Sequence, residues 1–139
     1  MNDAAVKLLS SLHTTLYRLT GGVVGHRLVA NDMLLLTTTG RTTRRQHTVP
    51  LLFLRNGSDL VVIASFGGRG HDPEWYRNLV DHPEATVQID RDTLSVVART
   101  MAGEERATWW TRVTAAYDGY AEYQARTDRE IPIVALRPV

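Results

Sequence analysis

The chain has 139 residues, sixteen basic and fifteen acidic side chains for a formal charge of +1, and no cysteine. A chain of this length buries roughly two-thirds of the surface that its unfolded form exposes, so a single domain over residues 1–139 is expected. The absence of cysteine excludes disulfides, thiolate-ligated zinc, iron–sulfur clusters and thiol catalysis, and the balanced charge argues against a nucleic-acid-binding face, which needs a broad basic surface.

No apolar run approaches the roughly 20 residues that span a bilayer, and the first residues lack the pattern of a secretion signal, so a cytoplasmic protein is expected. After Asp3, Ala5, Leu8, Leu9, Leu12, Leu16 and Leu19 recur at steps of three and four. This spacing predicts an amphipathic helix over 1–20, ended by Gly21-Gly22. Its apolar stripe suits packing on the domain or weak peripheral contact with a membrane. The few basic residues beside it, Lys7 and Arg18, favour packing.

Two apolar runs of strand length follow, Met33 to Leu36 and Val49 to Leu54, on either side of a polar loop. Between Met33 and Ser58 there are four arginines and no acid. Gly40 marks the bend, where a glycine reaches positive φ or lets the backbone approach a ligand. Arg41, Arg44 and Arg45, with the hydroxyls of Thr42, Thr43 and Thr48, form a donor set suited to a phosphate or carboxylate, because the guanidinium fork binds either one bidentately and keeps its charge. An ordinary solvated loop is the other reading of the same composition.

Asn56-Gly57 predicts a type I′ hairpin turn into a β-branched strand from Asp59 to Ser65. A loop with three glycines, Gly67, Gly68 and Gly70, comes next. Asp72, Pro73 and Glu74 then spell a helix start, with Asp72 as the cap. Trp75 and Leu79 share one face of that helix, which reads as core packing or, for Trp75, as stacking on a ligand. His82-Pro83 ends it. Glu84 to Asp90 and Thr93 to Met101 predict an antiparallel pair around Arg91-Asp92. Glu104-Glu105 open a helix with Ala107, Trp110, Val113, Thr114 and Tyr117 on one face, interrupted at Gly119. Tyr117, Tyr120 and Tyr123 are spaced to form one ridge, and Ile131 to Leu136 is the last strand.

The five histidines show no metal-site spacing, and Ser65 does not stand in the nucleophile elbow of hydrolases. Dinucleotide and Walker glycine motifs are also missing. By elimination, any chemistry comes from a bound cofactor that the protein positions.

Three segments carry a resemblance: Leu35 to Leu51, Ala64 to Leu79 and Tyr120 to Pro132. Together they resemble the deazaflavin-dependent nitroreductase family, whose members use the cofactor F420. The resemblance implies an α+β, mainly β, split β-barrel of six or seven mostly antiparallel strands with helices packed outside. It implies a hydride passed from reduced F420 to an electron-poor small-molecule acceptor: a quinone, an enone or a nitro compound. Gly40, Arg41, Thr42, Arg44 and Arg45 match the part that binds the cofactor's phosphate and acidic tail. Thr48, Pro50 and Leu51 match the segment beside the deazaflavin, and Ala64, Ser65, Gly67 and Gly68 match the loop around its rings. Phe66 stands where the family often has lysine, a loss that Arg69 offsets. Trp75 and Asn78 match the helix that closes the site. Tyr117, Tyr120 and Tyr123 resemble the tyrosines of the acceptor pocket, and Ser65, Tyr120 or Tyr123 is implied as the hydroxyl that polarises the acceptor or relays a proton. FMN on the same fold, or a carrier that binds F420 without turnover, are the alternatives. Oligomeric state is left open.

Overall fold

The computed structural model describes residues 33–139. The amphipathic helix expected over 1–20 lies outside the described residues. In chain order the elements are β1 (Met33–Thr39), β2 (Gln46–Leu52), β3 (Leu54–Asn56), β4 (Asp59–Ile63), a 3-10 turn (Phe66–Gly68), α1 (Glu74–Asp81), β5 (Glu84–Ile89), β6 (Asp92–Thr100), α2 (Gly103–Ala116), α3 (Gly119–Ala125) and β7 (Ile133–Pro138).

The strands form one seven-stranded sheet in the order β2-β1-β5-β6-β7-β4-β3. Every pairing in it is antiparallel. β2 and β3 are its opposite edges, yet only Phe53 separates them in the chain. The sheet therefore curls until its two edges come together at Phe53, which is the expected half-open barrel. The sequence reading ran one strand through from Val49 to Leu54. The structure instead ends one strand at Leu52 and begins another at Leu54, with Phe53 turned into the core.

β4 reads as an unbroken apolar run because both of its faces are covered. Leu60 and Val62 join Leu34, Leu36, Val87 and Leu136 in the barrel interior, which Trp75 and Leu79 of α1 complete. Val61 and Ile63 face the other way, with Ile133 and Ala135, under Trp109, Val113 and Tyr120 of α2 and α3. Each such side chain taken fully out of water contributes about 1.5–3 kcal/mol, so these two layers hold the frame of the groove.

Local chemistry corrects four expectations. The hairpin turn has positive φ at Gly57 (61°), while neither Asn56 nor Ser58 is in that region, so it is not type I′. In the β5–β6 turn, Asp90 takes the left-handed conformation (φ 53°), and the pairing of Ile89 with Asp92 makes Asp90-Arg91 the turn residues. Pro73, not Asp72, stands at the N-terminal boundary of α1, because the Asp72 carboxylate is drawn to Arg129 at 2.8 Å. On α2 the core residues are Trp109 and Val113, whereas Trp110 is only partly buried and carries the Arg106 guanidinium over its ring at 5.1 Å.

Candidate active-site groove

Strand pairing carries β1 on to Thr39 and starts β2 at Gln46, which confines the arginine loop to residues 40–45. The loop is closed by Gly40 N–H donating to the Arg45 carbonyl at 2.7 Å and Arg44 N–H donating to the Gly40 carbonyl at 2.9 Å. Gly40 is needed for space, not torsion: a Cβ there would collide with Thr43 Oγ1 and lie 2.8 Å from His47 Nε2. The positive φ of this loop belongs to Arg44, at 61°.

Arg41 is the arginine that the fold orients. Its backbone N–H and its Nη1 both donate to Asn78 Oδ1, at 3.2 and 2.9 Å, and Nη1 also meets Glu74 Oε2 at 2.7 Å. Asn78 is buried and donates from Nδ2 to the buried Thr38 Oγ1 at 3.2 Å. A bracket therefore runs from β1 through α1 to the guanidinium and fixes the direction in which it points.

The loop after β4 carries three successive positive φ values: Phe66 at 48°, Gly67 at 65° and Gly68 at 78°. Gly68 is packed so tightly on α3 that a Cβ would lie 2.6 Å from the Tyr123 carbonyl oxygen. Arg129, which sequence reasoning missed, binds this loop from behind. Its Nε donates to the Arg69 carbonyl at 2.9 Å, Nη1 to the Ala64 carbonyl at 3.2 Å and to Asp72 Oδ1 at 2.8 Å, and Nη2 to the Ser65 carbonyl at 2.7 Å.

Three tyrosines form the remaining wall. Tyr117 and Tyr120 meet edge-on with ring centroids 5.0 Å apart, and Tyr120 and Tyr123 at 6.1 Å. The helix breaks between Ala116 and Gly119, so the ridge expected from spacing three is assembled across a kink. Burial, followed by the neighbouring Tyr117 and Tyr123, pushes the Tyr120 phenol up to about 12. A hydrogen bond with Tyr117, then burial, also raises Tyr123.

These three pieces line one groove of about 1330 Å³. From the arginine loop, Gly40, Arg41 and Thr42 reach it. From β2 come Thr48, Pro50 and Leu51, and from the glycine loop Ser65, Gly67 and Arg69. Trp75 and Asn78 of α1 and the three tyrosines complete the set of expected residues that it brings together. Four expected residues do not line it. Arg44 and Arg45 are exposed outside it, Ala64 is fully buried beneath the loop, and Gly68 faces α3. His47, Phe66, Glu74 and Arg126 line the groove without having been foreseen. Arg126 follows Tyr123 by three residues, so helical spacing alone would have found it, and its guanidinium lies 5.7 Å from that ring.

The groove has a direction. All of β2 lies along it, from the arginine loop at Gln46 to Leu52, and the far end adjoins a small apolar side cavity shared by Leu52, Phe53, Tyr117 and Tyr120. Seven extended residues span roughly 20 Å, so the slot suits a long ligand that is anionic at one end and flat and apolar toward the other. Among the described residues no cluster of three side chains could hold a metal ion.

Comparison with known proteins gives consistent results. A family model described as F420H(2)-dependent quinone reductase matches residues 9–138. An F420H(2)-dependent quinone reductase of Mycobacterium tuberculosis is 36% identical over 132 residues, covering 92% of this chain and 89% of that one. A solved F420-H2 dependent reductase (FDR-A) superimposes with a TM-score of 0.70 at 37% identity, covering 76% of this chain and 94% of that one. A further solved structure, described as a domain-swapped dimer, gives a TM-score of 0.72 at 34% identity over 91% of this chain and 96% of its own.

Proposed function

The chain belongs to the F420H(2)-dependent quinone reductase family, and from that membership and the groove we propose that it reduces quinones, with related enones and nitro compounds as further acceptors. It is an F420-dependent oxidoreductase of split-barrel fold. When bound, reduced F420 supplies the hydride. The donor set fits such a group, since an oriented guanidinium, a glycine loop and a wall of aromatic rings share one slot.

Arg41, with Thr42, grips the phosphate and acidic tail, and Asn78 holds Arg41 in place without touching the ligand. Arg44 and Arg45, exposed at the rim, attract the anionic tail through the local field and make no fixed contact. Thr48, Pro50 and Leu51 form the β2 wall, and Ser65 and Gly67 present the loop backbone to the ring system. Ala64 and Gly68 support that loop from below. Arg69 takes the place of the family's lysine. Trp75 lines the groove but is packed into the core and only 8% exposed, so it forms part of the wall and is not a free stacking platform. Tyr117, Tyr120 and Tyr123 flank the acceptor. With its phenol raised to about 12, Tyr120 keeps its proton at neutral pH and donates a hydrogen bond to the acceptor's oxygen, with Tyr123 and Ser65 as the other hydroxyls at hand. Catalysis is then chiefly orientation, which the walls of the groove would supply to cofactor and acceptor.

The observation that carries this reading is the single groove shared by Arg41, the glycine loop and the tyrosines. Anaerobic mixing with reduced F420 and a panel of quinones, enones and nitro compounds tests it, with FMN titrated in parallel. Turnover of the quinones supports it; F420 binding without any turnover leaves a carrier; preference for FMN removes the deazaflavin. No helix among the described residues is long and apolar enough to cross a membrane. We place the protein in the cytoplasm as a single domain. Liposome flotation of the full chain checks that placement.

A further inference from the structure

We propose that Arg129 is a positioning residue that shapes the loop of residues 64–70 for the cofactor's ring system and locks that loop to the helix carrying the acceptor tyrosines. The inference rests on the deazaflavin reading of the groove. Four of the five guanidinium N–H donors are engaged, three of them by main-chain carbonyls of one loop: Ala64, Ser65 and Arg69. The side chain is 14% exposed and does not line the groove, so it acts on a ligand only through the loop.

The planarity of the trans peptide gives that arrangement its consequence. With the Ala64 and Ser65 carbonyls turned toward Arg129, the N–H groups of Ser65 and Phe66 point the opposite way. Ser65, Phe66 and Gly67 all line the groove, and their N–H groups have no backbone acceptor among the described residues. Ser65 is right-handed helical and Phe66 left-handed, the pairing that makes successive N–H groups converge on a partly negative oxygen. Phe66 is a bulky residue held at positive φ, a conformation that persists only where surrounding contacts impose it. Arg129 fixes the Ser65 carbonyl on one side of it, while the Arg69 guanidinium and the His71 ring lie against its side chain at 4.8 and 5.3 Å.

The same residue is tied to α3. Gln124 Nε2 donates to the Arg129 carbonyl at 2.7 Å, and Gln124 Oε1 accepts from Ile131 N–H at 3.0 Å. Gln124 follows Tyr123 directly, so the loop facing the cofactor and the helix facing the acceptor share one anchor. Lysine cannot replace it, because a single ammonium lacks the planar fork that reaches three carbonyls at once.

The test uses the full chain with F420, reading Kd by fluorescence titration, KM for a quinone, and Tm. Arg129→Lys is expected to raise the F420 Kd at least tenfold and to alter the fluorescence of the bound cofactor, with the quinone KM within about threefold of wild type. Arg129→Ala should do the same and recover with added guanidinium ion. Asp72→Asn, which spares all three carbonyl bonds, should raise Kd only a few-fold. A lower Tm with unchanged Kd in Arg129→Lys and Asp72→Asn makes Arg129 a structural staple only and overturns the proposal. Wild type that fails to bind F420 overturns instead the reading of the groove on which it rests.

Discussion

Asn78 spends its side-chain oxygen on Arg41 alone, accepting from both the backbone N–H at 3.2 Å and Nη1 at 2.9 Å, while its amide nitrogen serves the buried Thr38. An asparagine with these bonds is occupied by the protein, not by a ligand. Asn78→Ala should therefore cost about 1–3 kcal/mol in stability, because buried partners lose their bonds, and should also weaken F420 binding. A double-mutant cycle with Arg41→Ala, read by fluorescence titration, is expected to be strongly non-additive. Additive losses would mean that the two residues contact the ligand independently.

The three arginines of the β1–β2 loop are not equivalent. Arg41→Ala should weaken F420 binding by about 1.5–3 kcal/mol, the loss of charge-assisted hydrogen bonds. Arg44→Ala and Arg45→Ala remove exposed charges with no ion pair to any described residue, and should each cost under about 1 kcal/mol. Repeating the titrations in high salt separates the cases, since screening abolishes the rim effects first.

Glu74 sets a carboxylate against the guanidinium that is meant for an anion, at 2.7 Å. Its side chain is more than half exposed, so the pair adds little to stability. Glu74→Gln is expected to tighten F420 binding several-fold and to leave Tm almost unchanged. Weaker binding by the variant would show instead that Glu74 aims Arg41.

The raised phenol of Tyr120 gives a stability signature at alkaline pH. Because the folded-state value, about 12, lies above the ordinary value near 10, the unfolded chain releases the proton first. The contribution is thus complete below about pH 10 and is lost as pH rises through 12, a difference of about 3 kcal/mol. Tyr120→Phe should flatten this alkaline decline in denaturation curves. Tyrosinate absorbance should show a late-ionising phenol that Tyr120→Phe removes.

Two adjacent glycines should respond differently to alanine. Gly68→Ala combines φ +78° with a Cβ 2.6 Å from the Tyr123 carbonyl oxygen, so both torsion and space oppose it. A loss of roughly 3 kcal/mol or more is expected. Gly67→Ala meets nothing within 4 Å and bears only the strain of φ +65°, about 1 kcal/mol. Thermal denaturation of the two variants measures the contrast.

Much of this architecture was legible in the sequence. Alternation and apolar runs located the strands, and the Asn56-Gly57 and His82-Pro83 signals placed a turn and a helix end within a residue or two. The arginine loop, the glycine loop and the tyrosines were identified separately, and the fold does bring them to one groove. What stayed hidden depends on distant partners. Asp72 reads locally as a cap, yet its ion pair with Arg129 lies 57 residues away along the chain. Arg44 and Arg45 look like Arg41 in the sequence, and only the reach of α1 to Asn78 separates them. Trp109 and Trp110 are adjacent, so the choice between core and surface turned on the exact rotation of α2, which composition does not fix.

The placement of Phe53 between the sheet's two edges has one more consequence. The β2 side of the slot and the glycine loop after β4 belong to opposite ends of the strand order, and among the described residues no β-ladder joins them across the opening. Widening that seam would break no rung between neighbouring strands, so entry of a rigid planar guest there costs no main-chain ladder bond.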